Sequence, residues 1–284
     1  MALNYDAALA LPAIEVAQAY SERDTILYAL GVGLGRDPLD PTELAYLHEA
    51  RDLKVLPTMP VAMAFKSLRE MNLGIDYGKL VHGEQRLKLH RPMPASGVVI
   101  GCSRVVDVID RGEGKGALVL IDREMTNAAS GEVLATVGMT ALCRGDGGFG
   151  GPPRPVPPAH ALPERSPDSV VDLPTSRRAA LIYRLSGDLN PLHIDPATAA
   201  AAGFERPILH GLATFGIVGW AVIKGLLGGR PEPLVELGGR FSAPVFPGDT
   251  LRVELWRDGN VVGARASALE RGTVVFSNGR AVLA

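Results

Sequence analysis

A glycine- and proline-rich stretch near the middle of the chain limits its fold more than any other feature. Residues 145–151 contain five glycines, and residues 152–158 contain five prolines. Proline lacks a backbone donor and glycine loses more conformational freedom on ordering, so the stretch favours neither a helix nor a sheet ladder. Because it divides 284 residues almost equally, we expect a linker at residues 149–168 between two domains, residues 1–148 and residues 169–284.

The two halves are weak copies of each other. Residues 28–33 resemble residues 183–188, which lie 155 positions later, and residues 80–87 resemble residues 234–241, which lie 154 positions later. A nearly constant offset over about fifty residues indicates an internal duplication. We therefore expect two domains of the same kind.

Both halves end in runs that are typical of β-strands. Three runs rich in β-branched residues, each bounded by turn residues, follow the proline-rich turn of each half. In the second half, an apolar helix from Gly211 to about Leu227 is predicted before them. A helix followed by an antiparallel meander, present twice, indicates an α+β protein. The predicted strands are residues 98–108, 116–122, 133–142, 250–256, 261–269 and 273–282.

The densest cluster of chemically active side chains is Asp188, Asn190 and His193. Pro191 disfavours a helical conformation at Asn190 and removes a backbone donor, so the three side chains are expected on a fixed turn where they can converge. Histidine titrates near neutrality, and a neighbouring carboxylate can orient it or share with it the activation of a water molecule. The turn therefore predicts an acid–base pair, Asp188 and His193.

The residues after this turn predict a partner for the pair. Asp195, Pro196 and Gly203 have the order of N-cap, first-turn proline and C-terminal glycine, so Asp195 is expected to cap a short helix rather than to catalyse. Gly211 is expected at the N-terminus of the longer helix, where free N–H groups and the helix dipole favour negative charge. Gly211 is thus a candidate for half of an oxyanion hole. We expect His210, beside it, to be a loop or cap residue.

These segments resemble the signature of the (R)-specific enoyl-CoA hydratases, the MaoC-like dehydratases, in their long two-repeat form. The resemblance covers nearly the whole chain and implies a double hot-dog fold, in which each repeat is a central helix wrapped by an antiparallel sheet. It also implies reversible hydration of trans-2-enoyl-CoA to (3R)-3-hydroxyacyl-CoA, as in fatty acid β-oxidation, with no cofactor beyond the CoA of the substrate. The other matching segments are residues 28–33, 44–49, 55–58, 82–85, 92–97, 147–151 and 240–241.

The resemblance also implies individual roles. Asp188 and His193 would hold one water between them, and Asn190 would position that water or the carboxylate. The N–H of Gly211 would receive the thioester oxygen. At the position of Asp188 the first half has Gly33, so the first repeat is expected to accommodate the acyl chain instead of catalysing. The implied substrate-binding residues are His82, Gly83, Arg111, Leu189, Pro191, Leu192 and Phe241.

Composition excludes several classes of protein. With 46% hydrophobic residues, 21% charged residues and a net charge of −2, the chain is globular and has no basic patch for nucleic acid. Its longest uncharged apolar stretch, residues 211–223, is shorter than the roughly 20 residues that span a bilayer, so we expect no membrane insertion. Cys102 and Cys143 lie in apolar runs and are expected to be buried thiols in a reducing cytoplasm. The exposed edges of such a fold favour a homodimer.

Three other functions remain open. A metal-dependent hydrolase could draw its ligands from Asp188, His193, Asp195 and His210. We expect no metal, because Asp195 already has a capping role and the spacing matches no standard site. A thioesterase of the same fold would release free CoA thiol, whereas a hydratase leaves the thioester whole. A non-catalytic acyl-CoA-binding protein would keep the pocket without turnover, but the intact acid–base pair argues against it.

Overall fold

The computed structural model describes residues 3–284, so the first two residues of the predicted 1–148 repeat lie outside it. Its framework is one ten-stranded sheet in which all neighbouring strands are antiparallel. All six predicted strand runs are confirmed. The strands are β1 (Ile14–Tyr20), β2 (Leu80–Leu89), β3 (Gly97–Asp110), β4 (Ala117–Asn127), β5 (Val133–Cys143), β6 (Ser169–Pro174), β7 (Leu234–Phe241), β8 (Thr250–Asp258), β9 (Val261–Ala268) and β10 (Thr273–Leu283).

The strand order shows that the sheet is built from two equivalent halves. The order is β1-β3-β4-β5-β2-β7-β10-β9-β8-β6, so each half has the same topology and the halves meet where β2 pairs with β7. Within this pairing, Gln85 lies opposite Gly239. These two residues are 154 positions apart, the offset seen in the sequence. An approximate twofold axis therefore passes through the middle of the sheet.

The longest helix is the core of the second repeat. It begins at Gly211 and ends at Leu226, in agreement with the prediction, and residues 213–223 are all buried. A helix that is apolar on every side must be surrounded by protein, and the sheet surrounds this one. No helix within residues 3–284 is both long and apolar enough to cross a membrane. The helices are α1 (Tyr5–Leu9), α2 (Glu22–Val32), α3 (Pro41–Leu44), α4 (Ala179–Tyr183), α5 (Pro196–Ala201) and α6 (Gly211–Leu226).

The first repeat has no helix comparable to α6 in the described chain. The residues 154 positions before α6 are 57–72, and they contain only two short 3-10 turns, Met59–Ala62 and Leu68–Met71. The first of these turns is buried. The double hot-dog fold is confirmed, but where the second repeat has a continuous helix, the first repeat has an irregular segment that is buried only over residues 57–64.

The two repeats share a hydrophobic core. One cluster of buried residues includes side chains from both halves, and Tyr28 of α2 packs against Tyr183 of α4 with ring centroids 5.9 Å apart. Residues 149–168 contain no helix or strand, yet they are tied to the second repeat. Asn278 donates to the carbonyl of His160, and the indole of Trp256 donates to the carbonyl of Arg165. The segment therefore packs along the surface of the second repeat as an ordered linker.

Candidate active site

Two short turns bring Asp188 and His193 together. A 3-10 turn follows α4 and ends at Gly187, whose φ is +130°. Asn190 then caps a second 3-10 turn, Pro191–His193, by accepting from the N–H of Leu192 at 3.1 Å. The backbone N–H of Asn190 donates to Asp188 Oδ1, also at 3.1 Å. Proline thus starts the second turn as predicted, and the chain folds back on itself.

The carboxylate of Asp188 faces the free ring nitrogen of His193. Asp188 Oδ2 lies 4.0 Å from His193 Nε2, and His193 Nδ1–H donates to the carbonyl of Ile208 at 2.8 Å. This bond fixes the tautomer and leaves a lone pair on Nε2. Burial lowers the pKa of His193 below its ordinary value, although the Ile208 carbonyl and Asp188 oppose this. His193 is therefore a neutral base at neutral pH, aimed at a carboxylate.

His210 belongs to the same cluster. Its backbone is at the N-cap position of α6, but its side chain makes no capping hydrogen bond. Instead, Nε2–H donates to the backbone carbonyl of Asp188 at 3.1 Å, and the ring stacks on His193 with centroids 3.7 Å apart and planes 28° apart. Burial lowers its pKa to about 4. The prediction of a cap residue was right for the backbone and wrong for the side chain, because stacking between distant segments leaves no local signal.

Gly211 begins α6 directly beside this cluster. The N–H groups of Gly211 and Leu212 have no acceptor among the described residues, as expected for the first turn of a helix. A Cβ on Gly211 would lie 3.5 Å from the ring of Phe241. Gly211 therefore has an unpaired backbone donor at the positive end of the α6 dipole, next to His210 and near the ring of Phe241.

The first repeat also contributes a side chain to the site. His82 of β2 packs edge-on against Phe241 of β7, with ring centroids 4.9 Å apart. His82 is half-buried as a residue, but its Nε2 is buried and has no partner within residues 3–284; burial lowers the pKa of His82 to about 4, although Asp188 opposes the shift. A bulge separates His82 from Glu84, and Gly83 passes close to the carbonyl of Thr140. His82 thus faces the site across the junction of the repeats.

Three residues of the predicted binding set lie on the outer side of the catalytic turn. Leu189 is 61% exposed, Pro191 is exposed and Leu192 is half-buried. The side chain of Asn190 is also exposed, and its oxygen is occupied by the cap to Leu192. In this structure Asn190 holds the carboxylate through its backbone N–H rather than through its amide.

Arg111 lies away from the cluster but at the same end of the sheet. It is exposed, in the turn between β3 and β4. His82 pairs with Ala141 of β5, and Ala141 pairs with Val119 of β4. Val119 in turn pairs with Val108, three residues before Arg111. Three strand spacings correspond to roughly 14 Å. Arg111 can therefore contact only the distant part of an extended ligand.

The four residues of the metal alternative do not all meet. Ligand-type atoms of Asp188, His193 and His210 lie within 4.8 Å of one another. Asp195 instead caps α5, accepting from the N–H groups of Ala197 and Thr198 at 3.1 and 3.2 Å, as predicted. The cluster therefore provides three of the four proposed ligands.

Comparison with known proteins identifies the family. A model described as "MaoC like domain" matches residues 158–278, and one described as "MFE-2 hydratase 2 N-terminal domain" matches residues 18–145. The chain is 37% identical to enoyl-CoA hydratase ChsH3 of Mycobacterium tuberculosis over 98% of both proteins. The chain belongs to the MaoC-like dehydratase family. Its two matched regions correspond to the two repeats of the sheet.

Other MaoC-like proteins support this placement. A MaoC-like dehydratase from Phytophthora capsici superposes with a TM-score of 0.88 at 30% identity and covers 98% of both chains. The peroxisomal multifunctional enzyme type 2 of Mus musculus is 38% identical over 92% of this chain, which spans 36% of the mouse protein. The MaoC-like fold therefore occurs both alone and within larger proteins.

Proposed function

We propose that the protein catalyses the reversible (R)-specific hydration of trans-2-enoyl-CoA to (3R)-3-hydroxyacyl-CoA, and is therefore a hydro-lyase. The observation that carries the proposal is the pairing of Asp188 with the free Nε2 of His193 beside the free N–H of Gly211. A relative of the same length, 37% identical, is named an enoyl-CoA hydratase. Chemistry and family thus support the same reaction.

The Asp188–His193 pair is arranged to activate water. A water molecule at about 2.8 Å from each of two acceptors 4.0 Å apart forms a normal hydrogen bond to both. Removing a proton from this water while its oxygen attacks C3 gives the hydroxyl group, and returning a proton to C2 on the same face completes the addition. Both proton transfers are assigned to the pair, because Asp188 and His193 are both within reach of this water.

Gly211 supplies the electrostatic part of the reaction. As water attacks C3, negative charge develops on the thioester oxygen. A free N–H at a helix N-terminus stabilises such charge. The absence of a side chain at Gly211 lets the oxygen approach the backbone. His82, Gly83 and Phe241 would border the reacting end of the substrate.

The two repeats would divide the work between them. The second repeat carries the acid–base pair, and residues 149–168 connect it to the first. In the first repeat, the irregular segment that replaces a central helix would leave room for the acyl chain. Leu189, Pro191 and Leu192 at the rim of the site, and Arg111 farther along the sheet, would contact the CoA moiety or the outer part of the acyl group.

Kinetics on trans-2-enoyl-CoA of graded chain length test the function. Asp188→Asn and His193→Gln should each lower kcat by about 10²–10⁴-fold while the protein stays folded. Asp195→Asn, in the neighbouring helix cap, is the matched control and should keep activity. Loss of absorbance from the conjugated enoyl thioester measures hydration. Full activity in either variant of the pair would overturn the mechanism.

The same assay separates the alternatives. A thioesterase would release CoA thiol, which a thiol reagent detects, and binding without turnover would indicate an acyl-CoA-binding protein. The three ligand-type atoms of Asp188, His193 and His210 make the metal alternative worth one control. Activity that a chelator abolishes and added metal restores would establish it.

Assembly and location are part of the proposal. We propose a cytoplasmic homodimer with no nucleic-acid or membrane partner. The end strands β1 and β6 each pair on one side only. Leu181, Leu185 and Leu189 are exposed and spaced four residues apart, and we propose that they form an apolar strip beside the site. Cys102 and Cys143 are free thiols, which suits a reducing compartment. Light scattering and fractionation test these points, and a dimer that covers the strip would place it at the interface.

A further inference from the structure

Three backbone N–H groups donate to the carboxylate of Asp110. Asp110 is the last residue of β3, and its Oδ1 accepts from the N–H groups of Gly112 and Gly148, both at 2.8 Å. Its Oδ2 accepts from the N–H of Gly150, also at 2.8 Å. The hydrogen bond from Gly148 is the largest cause that lowers the pKa of Asp110, so the carboxylate is ionised at neutral pH. Hydrogen bonds to a charged acceptor are stronger than those between neutral groups.

These bonds hold together two loops that are separated in the sequence. One loop is the turn between β3 and β4, residues 111–116, and the other, residues 147–151, leads into the linker. The two backbones are in contact, because a Cβ on Gly147 would collide with the carbonyl of Gly112. The three donor glycines also have positive φ, a conformation that other residues rarely adopt. We call the two joined loops the glycine ridge.

The second repeat joins the equivalent strands by a tight turn. β8 occupies the same place in its half of the sheet as β3 does in the first. It ends at Asp258, and only Gly259 and Asn260 separate it from β9. Asp258 pairs with Arg165 at the surface, at 3.1 Å. The longer turn of the first repeat is therefore not a requirement of the sheet.

The glycine ridge lies at the same end of the sheet as the active site. His82 pairs with Ala141 of β5, and β5 ends two residues later, at Cys143, before the chain enters the ridge. The turn at residues 111–116 is three strand spacings from His82, or roughly 14 Å. A long ligand that extends from the acid–base pair along this end of the sheet would therefore meet the ridge.

The exposed side chains of the glycine ridge favour an anion. Arg111 and Lys115 on the ridge and Arg144 just before it are exposed, and none of the three forms an ion pair within residues 3–284. Two carboxylates, those of Glu113 and Asp146, lie among them in the sequence, so the cations are in excess. CoA carries its phosphates at the end remote from the thioester, which is the part of the substrate that could reach the ridge.

We propose that Asp110 is a positioning residue for substrate binding. It fixes the glycine ridge, and the ridge presents Arg111, Lys115 and Arg144 to the phosphates of CoA. The proposal rests on the hydratase function proposed above, because that function makes CoA part of the substrate. Without the carboxylate, three N–H groups lose their acceptor and the two loops are no longer joined. The cations then lose their fixed places, and they bind the phosphates less tightly because they must be ordered on binding.

Two substrates that differ only in the phosphates and nucleotide of CoA test this role. Asp110→Ala should raise KM for trans-2-decenoyl-CoA by about tenfold and leave kcat within about twofold, because the change lies far from the reacting atoms. The pantetheine thioester of the same acid lacks the phosphates, so its kcat/KM should be the same in the wild type and the variant. A merely structural role would lower kcat/KM equally for both substrates. That result, or an unchanged KM for the CoA thioester, overturns the proposal.

Two further variants serve as controls. Asp107→Ala removes a carboxylate of the same strand that pairs with Arg154 of the linker at 3.5 Å, so it should leave KM for both thioesters at the wild-type value. Asp110→Asn keeps one acceptor oxygen and should raise KM for the CoA thioester less than Asp110→Ala does. If Asp110→Ala fails to fold, Asp110→Asn decides the question, and an equal effect of this variant on both thioesters contradicts the proposal.

Binding without turnover separates this proposal from the hydratase function. Calorimetric titration with decanoyl-CoA and with decanoyl-pantetheine, both saturated, measures the two affinities. Weaker binding of decanoyl-CoA alone to Asp110→Ala would support the role of Asp110 even if no enoyl-CoA were hydrated. Equal binding of decanoyl-CoA to the wild type and the variant, in a protein that hydrates enoyl-CoA, would leave the hydratase function standing and show the role of Asp110 to be wrong.

A last comparison shows whether Asp110 acts through the cations. When Arg111, Lys115 and Arg144 are all replaced by alanine, the further change Asp110→Ala should alter KM for the CoA thioester by less than about twofold, because the groups that it positions are gone. Effects that multiply would instead show that Asp110 acts independently of these cations, and would overturn the proposal.

Discussion

In both repeats, a helical segment ends at a glycine with positive φ, but the chain follows a different path after this glycine in each repeat. α2 ends at Gly33 with φ +107°, and the turn after α4 ends at Gly187 with φ +130°. After Gly187 the chain directs Asp188 toward His193, whereas after Gly33 it buries Leu34 in the core. Aligning the two cap glycines makes Leu34 the structural equivalent of Asp188. The sequence offset of 155 had instead made Gly33 its equivalent. The first repeat lacks the acid on either alignment.

The other residues of the site also have no functional equivalent in the opposite repeat. At the offset of 154, Gly211 corresponds to Pro57, His210 to Leu56 and His82 to Glu236. Proline has no N–H, so no backbone donor exists there. The fold requires only packing at these positions, and packing tolerates Leu and Pro. The scaffold is therefore duplicated, whereas the catalytic residues of the second repeat are not present at the equivalent positions of the first.

Among changes that leave the acid–base pair intact, the largest effect is expected from giving Gly211 the proline of the first repeat. Proline is well accepted at the first helical position, where its missing N–H breaks no helical bond. His210 already has φ −57° and ψ 135°, which a following proline allows. Gly211→Pro therefore removes one donor from the site. We expect kcat for enoyl-CoA hydration to fall by about 10²–10³-fold, measured in steady state.

Gly211→Ala is the matched control. It adds a Cβ 3.5 Å from the Phe241 ring, an ordinary contact, and keeps the N–H. Its kcat should stay within about threefold of the wild type, because no hydrogen bond is lost. Equal losses in the two variants would show that space, not the donor, matters at this position.

The second effect is a decrease in the free energy of unfolding at acid pH, caused by His82 of the first repeat. Burial holds the pKa of His82 at about 4, below its ordinary 6.5, so the folded state binds fewer protons than the unfolded state between these values. Stability contributed by neutral His82 is therefore complete above pH 6.5 and is lost as the pH falls toward 4. At 1.36 kcal/mol per pH unit, the loss is about 3 kcal/mol.

Urea unfolding of the wild type and of His82→Phe between pH 7 and 4 measures this loss. The variant cannot titrate at this position and should lose about 3 kcal/mol less over the range. His193 and His210, whose pKa values are also lowered, should add to the decline in both proteins. Identical pH profiles would show that His82 is not buried as a neutral ring.

A smaller effect is expected from His210. His210→Phe keeps the stacking surface against His193 but removes the hydrogen bond to the Asp188 carbonyl. Since a neutral hydrogen bond contributes about 1 kcal/mol, kcat should fall by about fivefold with little change in KM. Thr214→Val, one turn along α6 and also buried, is the control and should keep full activity. A change in KM alone would instead point to substrate contact.

Local sequence signals were sufficient to predict much of this site. Pro191 marked the turn, Asp195 with Pro196 marked a helix cap, and Gly211 marked the start of α6. The signals fail where distant segments decide the outcome. His210 stacks on a residue 17 positions away in sequence, and Arg123 is buried by a segment about sixty positions before it. Neither contact leaves a periodic or capping pattern, so only the assembled fold reveals them.

The smallest effect comes from a pair of glycines that tests the structural alignment of the repeats. Both Gly33 and Gly187 have positive φ, so substitution by alanine should cost each about 1–2 kcal/mol of stability. A Cβ on Gly33 meets nothing within 4 Å, whereas one on Gly187 lies 3.1 Å from the Ala62 carbonyl and precedes Asp188. Both variants should therefore unfold at a lower denaturant concentration than the wild type. Gly33→Ala should keep its kcat, whereas Gly187→Ala should also lose activity. Unfolding curves and kinetics on both variants measure this, and equal kcat values would mean that the turn at Asp188 tolerates displacement.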